Sequence, residues 1–134
     1  MSLIEGDQVV IRNSRKVAAW GVHLFTASGV AWGFLALLAI QNHDWLLAFL
    51  WMAVAVAVDS LDGTLARRLR VQGALPGFDG ALLDNVVDYL TYVVVPAFFL
   101  YEANLFPPRF ATLAAVLILL ASAYQFCQAE AKTE

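Results

Sequence analysis

Four aspartates interrupt otherwise apolar segments of the chain. They form two pairs, Asp59 with Asp62 and Asp84 with Asp88, three and four residues apart. Residues at these spacings lie on one face of an α-helix, so each pair directs its carboxylates to one side. Grouped carboxylates repel each other unless protons or cations intervene, and an all-oxygen set suits Mg²⁺ or Mn²⁺ better than zinc. The spacing therefore predicts a divalent-metal site.

Two glycines and an arginine share the faces of these carboxylates. Gly63 directly follows the first pair, and Gly80 precedes the second pair by one turn. Without side chains, both allow a ligand or a neighbouring helix to approach the backbone. Arg67 lies on the face of the first pair and suits a phosphate. The residues predict a cavity for metal and a phosphorylated ligand, whereas the alternative, ion pairs between helices, would not require the glycines.

The elements that position these groups are predicted to be membrane helices. Of the 134 residues, 61% are hydrophobic and only 14% charged, which is unlike a soluble globular domain. About 20 apolar residues cross ~30 Å of hydrocarbon. Apolar stretches predict four spans: residues 17–40, 45–58 continuing into the charged segment 59–68, 81–101 with a bend at Pro96, and 110–129. The fold class is thus an all-α, polytopic transmembrane bundle, and the span lengths disfavour a soluble four-helix bundle.

Basic residues indicate how the spans are oriented. Four spans place both ends of the chain on one side, together with seven of the eight Lys and Arg residues; only Arg109 falls opposite. Because positive charge favours the cytoplasm, both ends and the site are expected there. Residues 1–16 are predicted to be a polar cytoplasmic segment rather than a signal peptide, and residues 17–134 the membrane core. The net charge of -3 and the absence of a basic footprint predict no nucleic-acid partner.

The aspartate pattern resembles that of a known family. DxxDGxxAR, a twelve-residue spacer and GxxxDxxxD are typical of the CDP-alcohol phosphatidyltransferase family. The spacer and the segments HLFTASG, LPGFDGALLD and VVDYLTYVVVP resemble the bacterial members that use choline as acceptor. The resemblance extends from about Trp20 to the C-terminus. The matching positions are Asp59, Asp62, Gly63, Ala66, Arg67, Gly80, Asp84 and Asp88.

This resemblance implies a phosphatidyl transfer from CDP-diacylglycerol to choline that releases CMP. The four aspartates would hold one or two Mg²⁺ or Mn²⁺ ions against the diphosphate, and Asp88 would also take the proton of the acceptor hydroxyl. Such a reaction needs mainly in-line positioning and neutralisation of phosphate charge. The nucleotide and diphosphate would be bound by Asp59, Asp62, Gly63, Ala66, Arg67 and Gly80.

The resemblance also implies a fold of about six transmembrane helices, usually in a homodimer. For this chain it implies a location in the bacterial inner membrane. Four predicted spans therefore imply either a chain that is truncated at its C-terminus or missing helices that are supplied otherwise. Other acceptors, such as serine, inositol phosphate or glycerol phosphate, stay open because the pattern concerns only the CDP-lipid half. Outside this class, a cation transporter would also carry intramembrane carboxylates, and the short chain allows a non-catalytic assembly subunit.

Further polar and aromatic residues are candidates with two interpretations each. His23 and Thr26 lie three residues apart in the first span, near the nucleotide or in helix–helix contacts. Choline would meet aromatic faces, and Tyr89 and Tyr92, with Phe25 and Phe78, lie at a suitable depth. The alternative for these aromatics is contact with lipid. Asp79 is predicted to cap a helix, and Arg68 and Arg70 to set topology.

Overall fold

The chain folds into helices joined by short loops. The computed structural model describes residues 2–71 and 73–128, and no β-strand occurs among them. Residue 129 of the predicted fourth span and Lys132, which entered the charge count, lie outside these ranges. The helices are α1 (Ser2–Gln41), α2 (Trp45–Arg68), α3 (Gly80–Tyr89), a π-helical segment (Leu90–Val94), α4 (Val95–Glu102), a 3₁₀ turn (Pro108–Phe110) and α5 (Ala111–Phe126).

Four of these helical stretches are long and apolar enough to cross a membrane: Ile4–Gln41, Trp45–Arg68, Gly80–Glu102 and Pro108–Phe126. The predicted all-α, polytopic fold is thereby confirmed, and the chain is a membrane protein. The third stretch combines α3, the π-helical segment and α4 into one span.

The first helix extends further toward the N-terminus than the apolar stretch that predicted it. Instead of a separate polar segment before residue 17, α1 continues back to Ser2. At 1.5 Å per residue, its 40 residues measure ~60 Å, about twice the ~30 Å of bilayer hydrocarbon. No proline interrupts the polar part, so nothing there prevents the helix from continuing into water.

Aspartate caps begin the second and third spans. The Asp44 carboxylate accepts a hydrogen bond from the Leu47 amide at 3.1 Å, and the Asp79 carboxylate accepts one from the Leu82 amide at 2.9 Å. Each cap satisfies an amide that the first helical turn leaves without a partner. The predicted capping role of Asp79 is confirmed.

The third span changes helix type just before its proline. Leu90–Val94 is π-helical, and Pro96 lies at the start of the α-helix that follows. Proline has no amide hydrogen to donate one turn back, so regular α-helical bonding cannot pass through it. The interruption predicted at Pro96 thus takes the form of a π-helical turn, which alters the facing of the residues on either side of it.

Two buried clusters hold the spans together at opposite ends. The first cluster consists of Ala36, Ala39, Ile40, Ala48 and Val95. It lies near the end of the bundle at which the His43 imidazole contacts the Glu102 carboxylate at 3.2 Å. The other cluster consists of Ala19, Val22 and Val71, which joins α1 to the loop between α2 and α3. Three of the five residues of the first cluster are alanines, as expected where helices associate by close backbone approach.

One close approach sets the separation of α1 and α3. A Cβ at Gly29 would lie 2.5 Å from Cγ1 of Val87, and a β-branched side chain cannot easily rotate away. Gly29→Ala is therefore expected to force the helices apart and lower stability by about 1–3 kcal/mol. The midpoint of thermal unfolding in detergent, followed by circular dichroism, measures this loss.

Gly21→Ala is the matched control on the same helix, because nothing lies within 4 Å of its Cβ position. That control should leave stability unchanged or raise it by up to about 1 kcal/mol. Adding Val87→Ala to the Gly29→Ala variant should restore part of the loss. Equal midpoints for the two alanine variants would contradict the packing account.

Candidate functional site

A cavity of about 720 Å³ opens between α1, α2, α3 and the loop that joins α2 to α3. Its position follows from chain order, since α2 ends and α3 begins at the same loop. Among the lining residues described, four are aspartates and none is a lysine or arginine. The residues are Val22, His23, Thr26, Asp59, Asp62, Gly63, Ala66, Val71, Gly73, Leu75, Pro76, Gly77, Phe78, Asp79, Gly80, Ala81 and Asp84.

Three carboxylates from two adjacent spans meet beside this cavity. One oxygen each from Asp59 on α2 and from Asp84 and Asp88 on α3 lie within 4.8 Å of one another. All three side chains are partly buried. This is the convergence that the two sequence spacings predicted, and it leaves three negative groups at a separation that a single cation can bridge.

Asp62 occupies a different position in the same cavity. It is buried, with 6% of its surface exposed, and its carboxylate has the side chain of Thr26 on α1 as a hydrogen-bonding neighbour. Its oxygens are not part of the group of three. Thr26, buried as well, therefore joins the site through Asp62, while a fourth metal ligand at this position stays a prediction.

The two motif glycines are covered by side chains. A Cβ at Gly80 would lie 2.6 Å from Cε1 of His23, so the absent side chain makes room for an imidazole of α1. At Gly63, a Cβ would lie 3.6 Å from Nη1 of Arg67. The Arg67 guanidinium thus lies over Gly63 at the edge of the cavity, and Ala66 lies beside it in the lining.

The two candidate tyrosines of the third span have separate roles. The Tyr92 hydroxyl donates a hydrogen bond to Oδ2 of Asp59 at 2.7 Å, so this side chain supports the carboxylate group directly. The Tyr89 hydroxyl donates to the Leu119 carbonyl at 2.6 Å, and its ring meets the edge of Phe126. Tyr89 therefore ties α3 to α5, and the structure does not bring the two tyrosines into one aromatic cage.

An aromatic cluster beside the cavity was not predicted from the sequence. The Phe78 ring lies 4.6 Å from the His23 ring and 5.3 Å from the Trp20 ring, measured between centroids. Trp20 and His23 are three residues apart on α1, a spacing that places them on one face. That spacing was the available signal, but the partner Phe78 lies in a loop and could not be paired with them by periodicity.

The residues present fit a hard divalent cation. The donor set of Asp59, Asp84 and Asp88 consists of carboxylate oxygens alone, the ligand type that Mg²⁺ and Mn²⁺ prefer. A hydrogen bond from Tyr92 orients one ligand from outside, a common feature of protein metal sites. This acidic triad can hold a metal ion at the boundary of the cavity.

Fold and site together define a polytopic helical membrane protein with a carboxylate site shared by two neighbouring spans. Residues 20–132 match the CDP-alcohol phosphatidyltransferase family. The chain belongs to this family, and the resemblance inferred from the aspartate pattern is confirmed.

Curated relatives bear the name phosphatidylcholine synthase. The Pseudomonas aeruginosa protein is 48% identical over 118 residues, which are 88% of this chain and 50% of that protein. The Legionella pneumophila protein is 48% identical over 117 residues, 87% of this chain and 46% of the relative. The Borreliella burgdorferi protein is 37% identical over 123 residues, which are 92% of this chain and 53% of that protein. The chain spans about half the length of these relatives, and no solved structure matches it.

The contact between Tyr92 and Asp59 generates a prediction. Tyr92→Phe removes the hydrogen bond that orients one carboxylate, and loss of such a supporting partner typically weakens metal binding about 10–100-fold. We expect a decrease of about tenfold in Mn²⁺ affinity, measured by titration with electron paramagnetic resonance detection in detergent.

Tyr89→Phe is the matched control, because its hydroxyl bonds a carbonyl of α5 rather than a carboxylate. It should bind Mn²⁺ as the unaltered chain does. If Tyr92→Phe binds Mn²⁺ with unchanged affinity, the supporting role assigned to the hydroxyl is wrong.

Proposed function

We propose that this chain carries the metal and CDP-lipid site of an enzyme of phospholipid biosynthesis. The reaction transfers the phosphatidyl group of CDP-diacylglycerol to choline and yields phosphatidylcholine and CMP. Membership in the CDP-alcohol phosphatidyltransferase family supports the reaction class, and relatives named phosphatidylcholine synthase support the acceptor.

The observation that carries the proposal is the meeting of Asp59, Asp84 and Asp88 within 4.8 Å beside a cavity of about 720 Å³. Separate aspartates in membrane helices would each cost at least ~2.5 kcal/mol and would favour distant positions. Their grouping supports a cationic ligand that would relieve the repulsion between them, and the adjoining cavity has room for the phosphates that such an ion would bind.

The chain's own residues have distinct roles in this proposal. Asp59, Asp84 and Asp88 hold the metal, with Asp62 as a further ligand or as a contact to the diphosphate. Gly63, Ala66 and Gly80 line the nucleotide and diphosphate region, and the Arg67 guanidinium at the rim pairs with a phosphate oxygen.

Asp88 also takes the proton of the attacking hydroxyl. A carboxylate has two oxygens, so binding an ion with one leaves the other to accept a proton. Once the hydroxyl oxygen bonds the lipid phosphorus, the bond from that phosphorus to the CMP oxygen breaks and CMP leaves. His23 and Thr26 line the same cavity, which supports a contact of both with the nucleotide.

A bound Mg²⁺ or Mn²⁺ would neutralise charge on the diphosphate oxygens. The oxygen-only donor set supports either ion and does not distinguish them.

Charge supports choline over the anionic acceptors. No lysine or arginine occurs among the described lining residues, so apart from Arg67 at the rim, which the proposal assigns to the diphosphate, no such cation would bind the phosphate of inositol phosphate or glycerol phosphate. Phe78, beside the cavity, offers an aromatic face for cation–π contact. Serine is the neutral alternative that this charge does not exclude.

The proposed setting is the bacterial inner membrane. The basic residues near the ends of α1 and α2 favour a cytoplasmic location for that side, which would place the site and both chain ends there. Residues 1–16 would form the cytoplasmic N-terminal segment and residues 17–134 the membrane core. By family resemblance the assembly would be a homodimer, to be tested by cross-linking in native membranes.

Replacement of one metal ligand tests the site. Asp84→Asn removes an ionised oxygen ligand, and we expect metal-dependent CMP release to fall by about a hundredfold or more. Membrane insertion should persist, because a neutral amide is less costly to bury than a carboxylate. CMP release from CDP-diacylglycerol in membranes containing the chain, with and without Mn²⁺, measures the effect.

Asp44→Asn is the matched control, since Asp44 caps α2 at the end remote from the cavity and asparagine caps equally well. Undiminished CMP release by Asp84→Asn would refute the site. Absence of any CMP release from the unaltered chain, combined with Mn²⁺ flux into vesicles, would favour a cation transporter instead.

A competition assay tests the acceptor. Labelled choline should enter phosphatidylcholine in the presence of CDP-diacylglycerol and Mn²⁺, and excess serine, inositol phosphate or glycerol phosphate should not reduce the label by more than a small fraction. Incorporation of labelled serine but not choline would leave the reaction class intact and overturn the choice of acceptor.

A further inference from the structure

A second cavity, of about 500 Å³, lies outside the acidic site. One wall is the polar part of α1, with Gln8, Arg12, Arg15 and Lys16. The opposite wall is the loop between α2 and α3, where Gly73 and Pro76 contribute backbone and a small apolar surface. The proposed transfer reaction uses none of the basic residues in this cavity.

The charge of this cavity is uniformly positive. Arg12, Arg15 and Lys16 line it, and no acidic side chain occurs among its described lining residues. Residues at i, i+3 and i+4 share one helix face, so the three cations converge rather than spread around the helix. An anion between Arg12 and Lys16 would relieve the repulsion between these two cations.

Arg15 fixes the geometry of the cavity. Its Nη2 donates a hydrogen bond to the Arg70 carbonyl at 3.0 Å, which ties α1 to the start of the loop after α2 across 55 residues of sequence. This contact holds the helix against the loop and keeps the basic face pointed at the opening. The cavity is thus bounded on both sides by elements that the fold itself connects.

Depth in the membrane indicates the kind of anion. Lys16 directly precedes the uncharged stretch that begins at Val17, so the basic face lies at the level of lipid headgroups when that stretch spans the hydrocarbon. Clusters of basic residues at this level bind the phosphates of anionic lipids. Arginine and lysine also bind free phosphate at such positions.

We propose that this basic cavity binds a phosphate group, supplied by an anionic lipid headgroup or by inorganic phosphate, with Arg12 and Lys16 as its cationic contacts. The site is separate from the acidic cluster, and the proposal does not rest on the proposed transfer activity. Gly73 and Pro76 line both cavities, so a bound phosphate would rest against the outer side of a loop whose inner side borders the acidic site.

The chain carries its own internal reference for a test. Its two lysines are Lys16 and Lys132, so acetylation of Lys16 by a water-soluble amine reagent is measured relative to that of Lys132 by peptide mass spectrometry. The full chain is placed in nanodiscs of phosphatidylcholine alone, in the same discs with added inorganic phosphate, and in discs that also contain phosphatidic acid. Sodium chloride at matched ionic strength controls for general screening.

We expect phosphate to slow the acetylation of Lys16 severalfold relative to Lys132, beyond the effect of sodium chloride. In Arg12→Gln, the phosphate concentration that gives half of this protection should rise about fivefold. A factor of this size corresponds to the loss of one basic contact near a membrane surface. Arg68→Gln, an exposed charge at the same end of the bundle that does not line the cavity, should leave that concentration unchanged.

The arms of the experiment separate the two sources of phosphate. Protection by phosphatidic acid alone assigns the site to a lipid headgroup, and protection by inorganic phosphate as well extends it to the free anion. The proposal is overturned if phosphate protects Lys16 from acetylation no more than sodium chloride does. It is also overturned if Arg12→Gln and the unaltered chain have the same midpoint concentration for protection. Neither result depends on CMP release, so failure here leaves the proposed transfer reaction untouched.

Discussion

Mutual repulsion among carboxylates in a low-dielectric setting is the constraint around which this bundle is built. Asp59, Asp84 and Asp88 are held within 4.8 Å of one another, although each ionised carboxylate at membrane depth costs at least ~2.5 kcal/mol. A chain without a use for this arrangement would separate the charges or replace them. The surrounding packing makes sense as the means of keeping them together until a cation neutralises them.

Close helix packing supplies the necessary rigidity. Gly29 permits contact with Val87, and Gly80 permits contact with His23, so α1 lies against α3 with little freedom to shift. In a bilayer no hydrophobic effect favours one helix contact over a lipid contact, and small residues therefore have an unusually large influence on how spans associate. The glycines of the motif serve the positions of the aspartates as much as they serve ligand access.

Much of this organisation could be predicted from the sequence, because it depends on the helical period of the polar residues and on the length of the apolar stretches. Apolar length predicted four spans. The spacings of Asp59 with Asp62 and of Asp84 with Asp88 predicted that four carboxylates converge, and those of Asp59, Asp84 and Asp88 do so. The position of Asp79, an aspartate directly before the third span, predicted that its side chain caps that helix. Each of these inferences uses residues within one helix or at its end, where the geometry of the α-helix fixes relative positions.

Contacts between elements were less accessible. Helical spacing places Tyr92, four residues after Asp88, near the face of the carboxylates but does not identify Asp59 as its partner, and the π-helical turn at Leu90–Val94 alters the facing of the side chains it contains. The interaction of Phe78 with Trp20 depends on how a long loop folds back, and Asp62 meets Thr26 across two spans. Pairings of this kind are set by interhelical distance and rotation, which periodicity does not contain.

The loop between α2 and α3 separates two regions of opposite charge. On one side lie the aspartates of the larger cavity, and on the other lie Arg12, Arg15 and Lys16, with Gly73 and Pro76 common to both walls. Unlike charges in a medium of low dielectric would pair and neutralise each other if they could meet. By keeping them apart, the loop preserves an acidic cavity able to attract cations and a basic face able to attract phosphate.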